Sequence, residues 1–535
     1  MRSEAPPGRS RLAAPGRTPV WIALVLLVFL LMMVGSVVLR DGTHRGSRPP
    51  ASTAPARRVR TEPPAPPRAE APVASPRPRE VGPADVAGIP PAEAGRPVRI
   101  EAVPPPSPPA PEVPAPPSSD SRRILVRTES GRVVVARVYG QAGAHVSAIL
   151  PDGQLVFTKG AALTDEPFRP ATAGEMLGGL SIGRFAGFKV RQSAHYLILY
   201  QSTNEFAEAS GKLLEKLYKS LVESLRRRGF PVHDSEFPLV AVIFRTERDF
   251  RARKKVDPDV QAYYEILSNR IYFYQSSKLD QQSPEAAALR KPQTVAHEGT
   301  HQILQNIGIQ PRLGNWPPWL VEGLAEYCSS PTMTRNGAAW GGPGLVNPMH
   351  MATIRDLQDP LSLQAQGTKR PRIGRDPKMP LVKYLVTRTE LTPTDYALSW
   401  ALTHYLAQKR VGEFLAYLKA MSRIPPLERR TPEDHLAAFR AAFGADLAKM
   451  DKAVDTYLAE LKGYDQLPYY VVMFQQAIGG GLVRRATIVS QSPSVIRQWL
   501  ETVGSPDGDP PNWEVLPHPT RARALLAAEQ WLARP

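Results

Sequence analysis

Cysteine is nearly absent: Cys328 is the single one in 535 residues, so no disulfide forms within the chain. That count suits a cytosol and a periplasm-like space equally and chooses neither. At the end of an apolar helix, Cys328 reads as a small core side chain rather than a nucleophile. Aromatics are missing from a long stretch, with none between Phe29 and Tyr139, while 23 of the 57 prolines lie between Pro49 and Pro117. Without large apolar side chains a segment cannot bury enough surface to offset its ordering entropy. Residues 40–120 therefore read as a disordered Pro/Ala/Arg-rich linker, extended where proline is dense, and the globular mass starts near Arg122. A dense Lys/Arg block is lacking as well. The formal charge is +17, but 17 arginines against 10 acids up to Arg123 leave only +10 over the remaining 412 residues. No basic run interleaves with aromatics, and Arg226, Arg227 and Arg228 close a helix, where cations suit the dipole. Nucleic acid is not an expected partner.

What is present begins with an uncharged apolar run at 20–39, long enough to span a bilayer. Arg2, Arg9, Arg11 and Arg17 precede it and Arg40 follows. An uncleaved signal anchor is favoured over a signal peptide cleaved near Val34-Gly35-Ser36. The tail at 1–19 then stays in the cytoplasm and the rest lies in an extracytoplasmic, periplasm-like space, although Arg40, Arg45 and Arg48 weaken the charge asymmetry. Short β-branched runs at 124–127, 133–138, 145–150 and 154–157, separated by Gly turns, predict a small antiparallel β module, SH3-like, over 121–170.

Strands at 196–201, 239–244 and 270–274 alternate with a long amphipathic helix from 206 and a short one near 247–254. Beyond Trp319 the pattern is almost wholly helical to Leu461. The expectation is an α+β domain over 185–465, with a mixed sheet followed by a helical lobe. A small α/β appendage of unreadable role occupies 466–535.

The stretch around which this domain is organised is Q-T-V-A-H-E-G-T-H-Q at 293–302. On a helix, His297 and His301 lie four apart on one face and can reach one ion, while Glu298 sits about 100° round, beside it. That spacing suits a metal site with a general base. Pro292 is read as the helix start and Gly308 as its end. A third His in H-E-x-x-H-x-x-G-x-x-H is excluded, because Leu304 and Ile307 occupy the Gly and His positions. The other solution is a glutamate on a second helix. P-P-W-L-V-E-G-L-A-E-Y at 317–327 offers Glu322 among apolar neighbours, 21 residues after His301. Glu326, one turn on, is placed to accept the second N–H of a ligand imidazole.

H-E-x-x-H followed by W-L-x-E-G-x-A-x-Y resembles the gluzincin metallopeptidases, the peptidase MA-like group. Over roughly 124–461, the segments EFPLVAVIF, YYEILSNRIYFYQ, TVAHEGTHQILQNIGI, PPWLVEGLAEY and YALSWALTHYL resemble the DUF1570 family more closely. The resemblance implies a Zn2+ site of His297, His301 and Glu322 with Glu298 as catalytic base. It implies an oxyanion-donating tyrosine at Tyr396, although Ser399 stands where the M1 aminopeptidase pattern has Gly. His404, further along that helix, matches no family position. The M1 motif G-A-M-E-N for a free amine is absent, so endopeptidase action on a peptide or protein is expected. Substrate addition along a sheet edge places that edge at 270–274. The alternative is a catalytically inactive peptidase fold kept as a binding or scaffold module at the cell envelope.

Overall fold

The computed structural model describes Val37–Leu39 and residues 122–534, apart from 129–130, 144, 160, 182–184, 259, 279, 281–283, 335–336, 366–379, 479–481 and 506–507. The linker at 40–120 and residues 20–36 of the expected anchor lie outside the described residues; the last three anchor residues, Val37–Leu39, form a short strand (β1) antiparallel to Ala486–Ile488, which corrects the expected membrane span at that end. Among the described residues no helix is long and apolar enough to cross a membrane. The architecture is mixed α+β, with 14 described helices.

Four strands, β2 (Arg123–Arg127), β3 (Val133–Ala142), β4 (His145–Ile149) and β5 (Leu155–Lys159), form an antiparallel meander. Its turns pass through Gly131, Gly143 and Gly153, all at positive φ, which glycine adopts without strain. Arg312, 3% exposed, joins this meander to the next sheet: Nη1 donates to Gly153 O at 2.6 Å and Nη2 to Leu267 O at 3.1 Å.

The second sheet is built from α1 (Ala173–Ser181), β6 (Lys189–Gln192), β7 (Tyr196–Tyr200), α2 (Asn204–Arg227), β8 (Leu239–Thr246), α3 (Glu247–Arg253), β9 (Ala262–Glu265) and β10 (Arg270–Ser276). Its strand order is β6-β7-β8-β10-β9, parallel in the middle and antiparallel at both edges. The continuous burial of β7 and β8 follows from cover on both faces. Tyr196, Ile198 and Tyr200 face the main core with α2, while Leu197 and Leu199 pack with Met176 and Phe250. The edge expected at 270–274 is corrected here. β10 pairs on both sides, and the edge on this side of the sheet is the short β9, added antiparallel through the turn at 266–269.

Helix α4 (Pro284–Asn306) follows and carries the motif. It begins eight residues before Pro292, which is therefore interior rather than initial. The proline forfeits one helical bond, to the carbonyl of Ala288, and Ala288 is solvent-exposed, so the loss is tolerated. Gly299 brings α2 close: a Cβ there would stand 2.7 Å from Leu214 Cδ2 and 2.9 Å from Leu217 Cδ2.

After α5 (Pro318–Ser329), a hairpin of β11 (Pro331–Thr334) and β12 (Gly337–Trp340) interrupts the expected helical run. Gly337 opens β12 at φ 100°, and the buried Trp340 ties the hairpin back by donating to Cys328 O at 2.8 Å. The lobe then continues as α6 (Pro348–Gln358), α7 (Pro360–Ala365), α8 (Leu381–Val386), α9 (Pro393–Lys409), α10 (Val411–Ser422), α11 (Pro432–Phe443) and α12 (Leu447–Glu460).

The C-terminal part runs β13 (Tyr469–Ala477), β14 (Val483–Ser490), α13 (Pro493–Val503), β15 (Asn512–His518) and α14 (Arg521–Leu532). β13 is central, between β14 and β15, and one helix covers each face. This part grips the domain at two places. Glu285 in the first turn of α4 accepts from Ser494 N and from the hydroxyls of Ser492 and Ser494. Asp356 at the end of α6 accepts from Tyr469 Oη at 3.0 Å and Arg521 N at 2.9 Å.

Candidate metal centre

α4 and α5 pack side by side, and their facing sides carry the polar residues. His297 Nε2 lies 3.1 Å from His301 Nε2 and 3.1 Å from Glu322 Oε2, and His301 Nε2 lies 3.4 Å from the same oxygen. Three potential metal-donor atoms thus converge. Donors held at zinc–nitrogen and zinc–oxygen distances of ~2.0–2.1 Å in a tetrahedron stand roughly 3.3 Å from one another, so the donor set fits such an ion. The three side chains retain 13%, 11% and 22% exposure, which leaves the opening on the Glu322 side. Burial opposes the charge of Glu322, but the two imidazoles outweigh it, His301 most, and hold the carboxyl down at about 2.

A second layer sets the imidazole of His297. Its Nδ1 faces Glu326 Oε1 at 3.2 Å, as the one-turn offset from Glu322 predicts. With Nδ1–H donated there, Nε2 is left as the free lone pair. Glu326 is 6% exposed and stays ionised: burial works against it, and His350 and His297 overcome that. Two further residues complete it. Gln293 Nε2 donates to Glu326 Oε2 at 2.8 Å, and His350 Nε2 meets the same oxygen at 2.7 Å. Gln293 carried a signal in the sequence, lying four residues before His297 on the same helix face. His350 carried none, because only the path of the hairpin and α6 brings it here.

Glu298 lies toward the β9 edge of the sheet, near the backbone of Tyr264. Burial raises the pKa of this carboxyl, and the neighbouring imidazoles only partly offset it. A carboxylate that holds a proton more readily than usual suits proton transfer near neutrality.

Tyr396 opens α9, with its ring centroid 6.4 Å from that of His297. Glu322 foremost, then burial and the other two carboxylates, push its phenol far upward, so it is a neutral O–H donor. Gly323 sets how closely α9 approaches. A Cβ there would lie 2.3 Å from Thr403 Oγ1 and 2.7 Å from Ser399 O. Ser399, the departure from the M1 pattern, is fully buried in that contact. The structure keeps His404 out of the site. Its Nε2 faces Gly344 O at 3.1 Å and its Nδ1 faces Tyr457 Oη at 2.7 Å, and burial lowers its pKa to about 4. Cys328 is also buried, with its thiol pushed up to about 12.

No curated protein sequence matches the chain. A family model described as protein of unknown function (DUF1570) matches residues 291–428, the stretch that holds His297, Glu298, His301, Glu322, Glu326, His350 and Tyr396.

Proposed function

We propose that this chain is a zinc-dependent metallopeptidase of the gluzincin type, hydrolysing internal peptide bonds of a peptide or protein. The observation that carries the reading is the convergence of His297, His301 and Glu322 with Glu298 immediately beside them. When bound, zinc acidifies water and polarises a carbonyl. Glu298 is the proton acceptor for the attacking water and returns that proton to the leaving amine. Tyr396 keeps its O–H to donate to the oxyanion of the tetrahedral intermediate. The free edge of β9 at Tyr264, beside Glu298, is where an extended substrate adds as a strand.

The test uses the full-length protein in detergent. Purified wild type is expected to carry one zinc per chain and to cleave members of a mixed peptide library, with cleavage lost on chelation and restored by zinc. Absence of stoichiometric zinc sinks the metal reading. Zinc without any cleavage favours the inactive scaffold instead.

The reading includes a membrane anchor in the apolar run that starts at Val20, which leaves the catalytic part outside the cytoplasm. A reporter active only outside the cytoplasm, fused after Leu39, is expected to score positive. Activity from a cytoplasmic reporter alone reverses the placement.

A further inference from the structure

His350 reaches the centre from a part of the chain remote from the H-E-x-x-H motif. It stands in the first turn of α6, where the buried Asn347 side chain accepts from the backbone N–H groups of Met349 and His350. The ring of Trp400, itself fully buried, lies 5.7 Å from the His350 ring at a 38° tilt. The far end of α6 is fastened to the C-terminal part through Asp356. His350 is therefore held by elements other than the two helices that carry the donors.

What it holds in turn is one oxygen of Glu326. His350 Nε2 and Gln293 Nε2 both address Oε2, at 2.7 and 2.8 Å, which leaves Oε1 for His297 Nδ1 at 3.2 Å. A carboxylate gripped at one oxygen cannot swivel about its terminal bond, so the line along which Oε1 meets His297 is set. A carboxylate held only by His297 would move with that imidazole instead of directing it.

The geometry points to His350 as a positioning residue of the metal centre, one that fixes Glu326 and thereby holds His297 with Nε2 turned to the metal. It strengthens metal binding without touching the metal. The inference rests on the metal-site reading above. Partners that orient a ligating imidazole typically contribute 10–100-fold in metal affinity.

The test is zinc affinity of the full-length, metal-stripped protein, titrated against a chromogenic chelator. His350→Ala is expected to weaken zinc binding roughly 10–100-fold, while His350→Gln, whose amide N–H reaches the same carboxylate oxygen, recovers to within about threefold of wild type. Unfolding midpoints of the metal-free proteins are measured alongside. Wild-type affinity in His350→Ala, with affinity lost in Glu326→Ala, overturns the inference and leaves Glu326 acting alone. Equal weakening in His350→Ala and His350→Gln, together with lowered metal-free midpoints, also overturns it, since packing then explains the loss. If wild type takes up no zinc, the metal-site reading itself has failed, an outcome separate from the other two.

Discussion

Glu298→Gln is expected to keep its zinc and lose its hydrolysis. Glu298 is not among the converging donors, so zinc content stays at one per chain when measured by elemental analysis. The amide is isosteric, so it occupies the space of the carboxyl without repacking. Burial already disfavours the charged form of this carboxyl, so a neutral replacement costs the fold little. What disappears is the carboxylate proposed to take a proton from water. General-base catalysis of this kind contributes about 10²–10⁴ in rate, and kcat for a cleaved peptide is expected to fall by that factor. Retention of activity within about threefold would falsify the assignment of Glu298 as the base.

The second large effect lies in packing. In Gly323→Ala a single methyl group arrives 2.3 Å from Thr403 Oγ1 and 2.7 Å from the Ser399 carbonyl oxygen. The hydroxyl can turn away, but the carbonyl belongs to the backbone of α9, so α5 and α9 must separate. Overpacking of this kind costs about 1–3 kcal/mol. The consequence is also functional, because Glu322 is the neighbour of Gly323 and Tyr396 sits on the helix being displaced. Denaturant unfolding and zinc titration are both expected to show the loss. Gly412→Ala is the control. It lies in α10 with nothing within 4 Å of an added Cβ, and there the exchange is expected to be neutral or to stabilise by about 0.5–1 kcal/mol. Equal stability of Gly323→Ala and wild type would mean that the contact between α5 and α9 is looser than the geometry indicates.

Much of the candidate site was legible because its information is local. His297 and His301 are four residues apart and Glu322 and Glu326 are four apart, so helical periodicity alone put each pair on one face. The mixture of strands and helices in the C-terminal part was legible for the same reason. Pro292 misled, because a proline reads as a helix start from sequence. In the folded chain the single lost bond falls on the exposed turn at Ala288. The hairpin of β11 and β12 was missed because its strands are only four residues long, too short for alternation to show.

By itself, then, the sequence determined which residue types could bind a metal, which helix each lies on, and where the apolar core of each element falls. These follow from the 3.6-residue and two-residue periods and from side-chain chemistry, which act over a few neighbours. The tertiary structure alone decided that β9 rather than β10 is the free edge beside Glu298. It alone brought His350 to Glu326 across 24 residues and fastened α4 and α6 to the C-terminal part. Those pairings join elements far apart in the chain. Their geometry depends on the order of strands and the angle of helices, which no local period records.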